Sequence, residues 1–92
     1  MANKEVDKLL SRHESLVHLD FKRVTSHVQR QVGDWWLNTL TLDGYDVPFR
    51  YQRKQAYRSL KGTRVNITCY PDSTEVAGIT METMKVVRIR RS

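Results

Sequence analysis

Asp43-Gly44 constrains the fold of this chain more than any other pair, because it separates two runs that read as β-strands. Trp36 to Leu42 runs WLNTLTL before it, and Tyr45 to Tyr51 runs YDVPFRY after it. A two-residue hairpin turn needs positive φ at both central positions, and Asp-Gly supplies it. Pro48 has no N–H to give a ladder, so the second arm belongs at an edge or carries a bulge. Further along, Arg64 to Tyr70 alternates, with Val65, Ile67 and Cys69 on one face and Arg64, Asn66, Thr68 and Tyr70 on the other. Pro71-Asp72-Ser73 reads as a turn. Glu75 to Thr80 reads as a short strand with a bulge at Gly78. Met84 to Arg90 reads as a last strand, with Val87 and Ile89 opposite Arg88 and Arg90.

Two segments have helical character. In Asn3 to Leu16, Val6, Leu9, Leu10, His13 and Leu16 recur at i, i+3, i+4 and i+7, which describes one helix face. Asn3 suits an N-cap, and Glu5 and Asp7 suit the positive end of the helix dipole. Arg53 to Leu60 holds good helix formers, with Ala56, Tyr57 and Leu60 on one side and Gly62 as terminator. Between them, residues 17–32 carry two periods. Val17, Leu19 and Phe21 alternate as in a strand, whereas Val24, Val28 and Val32 step by four. The β-branched content favours one long strand, or two with a bend near Thr25-Ser26.

The expected architecture is mainly β (a β-rich α+β class). It is a small five- to six-stranded barrel with an N-terminal helix over 1–16, the barrel over 17–92, and a short helix between strands. A short helix between the third and fourth strands is the element order of the OB arrangement, a five-stranded Greek-key barrel. An SH3-like barrel with a helical extension fits the same order.

Ninety-two residues make a single domain. The lone Cys69 excludes an internal disulfide and fits a reducing compartment. The opening MANKEVDKLL leads into no apolar signal region, and no run approaches the roughly 20 apolar residues that span a bilayer. A cytoplasmic location is expected, with no membrane partner. His13, His18, His27 and Cys69 match no metal-ligand spacing, and no metal or cofactor is expected. No phosphate loop or nucleophile motif occurs, and the expectation is a binding module rather than an enzyme.

Charge points to the partner. The chain carries +6: residues 1–34 hold six cations and five acids for +1, and residues 35–92 hold ten and five for +5. Val47 to Ile67 holds Arg50, Arg53, Lys54, Arg58, Lys61 and Arg64 and no acid, with Phe49, Tyr51 and Tyr57 among them. Cations for phosphates and aromatics for bases are the components of a single-strand nucleic-acid groove. The candidate contacts are Arg50, Arg53, Lys54, Arg58, Lys61, Arg64, Arg88 and Arg90, with Trp35, Tyr51 and Tyr70 for stacking. Neighbouring strand residues face opposite ways, so one of Trp35 and Trp36 enters the core and the other stands outside. The alternative is a protein-interaction or assembly subunit acting through a strand edge or the N-terminal helix, with a protein partner or a second copy of the chain.

Overall fold

The computed structural model describes residues 16–92. Five strands account for its regular structure: β1 (Val17–Val32), β2 (Trp35–Leu42), β3 (Phe49–Arg53), β4 (Arg64–Val76) and β5 (Ile79–Arg91). Neighbours run in the order β1-β2-β3-β5-β4, and β1 also pairs with β4, so the sheet closes on itself as a barrel. Every pairing is antiparallel except β3 with β5. The expected N-terminal helix, and the dimer that would use it, fall outside the described residues apart from Leu16.

β1 serves two partners. Its first part pairs with β4 from Val17↔Cys69 to Arg23↔Arg64, and its second pairs with β2 from Val24↔Leu42 to Val32↔Trp35. The register shifts twice, between Leu19 and Lys22 and between Val24 and Ser26. At the first shift Phe21 adopts φ +58°, its N–H donating to Asn66 Oδ1 at 2.8 Å. Arg64 lies 4.5 Å above the Phe21 ring and donates to its carbonyl at 3.1 Å. The second shift explains the four-residue spacing of the valines. An extra residue inverts the facing, so Val24 enters the core while Val28 and Val32 point outward and are exposed.

The core comprises Val24, Leu40, Leu42, Phe49, Tyr51, Leu60, Val65, Ile67, Cys69 and Val86. The alternation of β4 places Val65, Ile67 and Cys69 inside, as expected. β5 differs from its expected facing. A register shift between Thr68 and Cys69 puts Val86 opposite Cys69 in the core and leaves Val87 58% exposed. The Pro71-Asp72-Ser73 turn does not occur. β4 continues through it to Val76, and the reversal comes at Ala77-Gly78, with φ +50° and +80°. The Met84 N–H is given to Pro48 O at 2.9 Å, away from β4. Pro71↔Met84 is therefore a non-hydrogen-bonded pair, and the missing proline N–H falls at an edge, costing nothing.

The short helix over Arg53 to Leu60 is likewise absent; residues 54–60 form an irregular loop. Side chains from β1 explain why. Gln29 holds Tyr57 from both sides, accepting from its N–H at 2.9 Å and donating to its carbonyl. His27 Nδ1 accepts from the Leu60 N–H at 2.9 Å, and His27 Nε2–H donates to Asn38 Oδ1 at 2.8 Å. A backbone N–H only donates, which fixes the neutral Nε2–H tautomer. Leu60 plugs the core, and the hydroxyls of Tyr51 and Tyr57 are hydrogen-bonded. Tertiary bonds thus outbid helix propensity. Gly62 then turns the chain at φ +83°, its N–H reaching Val24 O at 2.8 Å. Among the described residues no helix is long and apolar enough to cross a membrane.

Candidate nucleic-acid interface

Strand register assembles the outer surface row by row. Val28 lies opposite Thr39, Thr39 opposite Arg50, Arg50 opposite Lys85, and Lys85 opposite Tyr70. Directly opposed residues point to the same side. One row therefore crosses all five strands, perpendicular to their direction, over roughly 19 Å at about 4.8 Å per strand. A second row, Arg30, Leu37 and Gln52, lies beside it. A third joins Val32 to Trp35, whose ring has Lys54 Nζ 5.6 Å above it.

Thr39, Arg50 and Lys85 of the first row and Leu37 and Gln52 of the second floor a groove. One portion, of about 270 Å³, lies between Val28 and Arg30 of the β1–β2 hairpin and Val76 and Met81 of the β4–β5 hairpin. The adjoining portion, of about 210 Å³, adds Gln52, Asp72 and Lys85, and the two share Leu37, Arg50, Thr74 and Thr83. Arg50 Nη1 donates to Thr74 Oγ1 at 3.0 Å, which fixes the guanidinium against the wall. Arg30, Arg50 and Lys85 face a single acid there, Asp72.

The other candidate cations divide among separate places. Arg53 and Lys54 meet Arg90 and Arg91 around a cleft of about 410 Å³ floored by Tyr57, Leu60 and Ile89. Arg88 and Arg90 border a smaller polar pocket with His18, Asp20, Asn66 and Thr68, where His18 Nδ1 and Thr68 Oγ1 are 3.0 Å apart. Arg64 is committed to Phe21. Arg58 and Lys61 are exposed in the 54–61 loop and line none of these pockets.

Among the aromatics, Tyr51 is excluded from stacking, because it lies 1% exposed in the core with Arg53 capping its ring at 4.7 Å. Trp35 stands on the outer face at 43% exposure, and Trp36 is half-buried on the other side. Tyr70 is half-buried at the end of the long row. Sequence reasoning did not reach Arg30, Leu37 or Lys85. The Arg30 facing depends on the bulge at Val24/Ser26, and Lys85 joins Arg50 only through the parallel β3–β5 pairing.

Burial shifts two groups. The Tyr57 phenol is pushed up to about 12, and the Cys69 thiol is also raised, because each loses hydration of its anion. Among the described residues no three His, Cys, Asp or Glu side chains cluster closely enough to hold a metal ion. No family model matches the chain, and neither a curated protein nor a solved structure shows significant similarity to it.

Proposed function

We propose that this chain is an OB-like barrel that binds single-stranded nucleic acid without base-specific readout. The ligand crosses the outer faces of β2, β3 and β5. The observation that carries the reading is the row Thr39, Arg50 and Lys85 in a groove between two hairpin arms, with Tyr70 next in the row beyond the groove. The strand order β1-β2-β3-β5-β4 supports it. OB-folds take oligonucleotides on strands 2 and 3 between the β1–β2 and β4–β5 connections. In this reading Arg30, Arg50, Lys54 and Lys85 neutralise phosphates. Tyr70 and Trp35 stack on bases, and Leu37 gives an apolar floor. Stacking tolerates any base, so the preference is for single strands rather than for a sequence.

The test is anisotropy of a labelled thymidine oligomer and a uridine oligomer, titrated at two salt concentrations. Four neutralised phosphates give a log–log salt slope of roughly −3 on single strands. Reversing Arg50 and Lys85 together to Glu should weaken binding by more than tenfold. Reversing Arg58 and Lys61 should cost much less. Affinity indifferent to salt would sink the reading. Equal losses from the two pairs would show attraction to net charge alone and remove the groove from it.

A further inference from the structure

The cleft between β3 and β5 lies beside the proposed track, shares only Lys54 with it, and has a different chemistry. The two strands are paired only at Phe49↔Met84 and Arg50↔Lys85. Beyond that point they separate, and the gap is the 410 Å³ cleft. Along it, β3 pairs on its other side with β2, and β5 on its other side with β4. The facing edges, residues 51–53 and 87–91, have no ladder partner among the described residues. Such edges offer rows of backbone donors and acceptors. The floor is apolar, made by Leu60, Ile89 and the Tyr57 ring. The rim carries Arg53, Lys54, Arg90 and Arg91, and no acid lines the cleft.

We propose that this cleft docks an acidic peptide segment of a partner protein in extended form, adding it as a strand to the open edge. Three features select that occupant. The volume falls within the range of about 300–1,000 Å³ that buries a ligand of several side chains. Four cations and no acid among the lining residues favour an anion. The unpaired edges demand a chain with alternating N–H and C=O groups, which a peptide has and a polynucleotide lacks. β-Strand addition supplies affinity through the main chain, and a pocket for alternate side chains supplies specificity. An aliphatic or aromatic side chain of the peptide sits over Leu60 and Ile89, and flanking carboxylates meet the arginines.

The probe is a fluorescein-labelled peptide, Asp-Glu-Ile-Asp-Phe-Asp-Glu, titrated into the full chain. Anisotropy should report saturable binding, and Trp35 fluorescence should change with it, since Lys54 of the rim lies over that ring. Replacing the Ile and Phe of the peptide by Ala should weaken binding at least tenfold. So should Arg53→Glu with Arg91→Glu, and the exposed single variant Arg91→Glu should reproduce part of the loss in a fold of unchanged stability. Amide exchange should slow along 51–53 and 87–91. The proposal is overturned if the full chain does not bind the peptide, or if charge reversal at the rim leaves affinity unchanged. It is overturned as well if a thymidine oligomer displaces the peptide equally from the parent chain and from the Arg50→Glu, Lys85→Glu variant. That result would give the cleft to nucleic acid. Failure of oligonucleotide binding at Arg50 and Lys85 leaves the peptide result standing, so the two readings fail separately.

Discussion

Ala77 holds a left-handed backbone, φ +50°, directly before Gly78 at +80°. Two consecutive positive φ angles match the tight hairpin turn that favours Asn-Gly. Alanine is strained there by roughly 1–2 kcal/mol, whereas Asn tolerates the conformation. Ala77→Asn should therefore raise stability by about 0.5–1 kcal/mol, seen as a higher urea midpoint with an unchanged slope. Gly62→Val should do the reverse by about 1 kcal/mol or more, because φ +83° suits glycine and the Gly62 N–H is bonded to Val24. Tyr57 gives a pH effect whose sign follows from its burial. Its folded pKa of about 12 exceeds the unfolded value of 10.0, so the folded state keeps a proton that the unfolded state releases. Stability should fall as pH rises from 10 to 12. Ultraviolet phenolate titration should show a late-titrating tyrosine that is missing in Tyr57→Phe.

At the scale of elements, the 54–61 loop is held by β1 rather than by itself. His27→Ala would leave the Leu60 N–H and the side-chain Oδ1 of buried Asn38 without their bonds. The expected cost is about 1–3 kcal/mol, and amide exchange at Tyr57 and Leu60 should accelerate before that at Ile67. These same bonds show why the helix expected there was misread. Ala56, Tyr57 and Leu60 do share a helical spacing, but Gln29 and His27 are contributed by a strand about thirty residues earlier, which no local period reveals. The first part of β4 was legible because its alternation is uninterrupted from Arg64 to Tyr70, whereas Pro71-Asp72-Ser73 has the composition of a turn and is strand. β1 and β5 were harder, since one added residue near Thr25 and another at Val87 invert the facing without leaving a glycine or proline as a mark. A turn at Asp43-Gly44 was legible but its form was not. Of the pair only Gly44 has positive φ, +85°. The connection is no two-residue hairpin but runs over residues 43–48, so β3 begins only at Phe49, with Tyr45 and Val47 packed on the core from the loop.

At the scale of the molecule, the candidate site was half legible. Arg50, Tyr70 and Trp35 were named from charge and alternation, yet only the closed strand order sets Arg50 beside Lys85 and separates both from Arg88 and Arg90. Cys69 reports on that closure. It sits opposite both Val17 of β1 and Val86 of β5, fully buried, with its thiol raised by burial. Labelling by a disulfide reagent at pH 8 should thus track global unfolding in urea, and Gly62→Val should speed it by the factor that it shifts the unfolding equilibrium. The parallel seam also has a consequence for how the chain is made. β1 needs β4 for half its length, and β3 meets β5 alone at the seam, so no order of synthesis from the N-terminus lets the ring shut before residues 79–91 have emerged. Until then β1, β2 and β3 form an open meander with two bare margins. A nascent chain halted at Gly78 should be cut rapidly by protease within residues 45–63, and one extended to Ser92 and clear of the ribosome should resist.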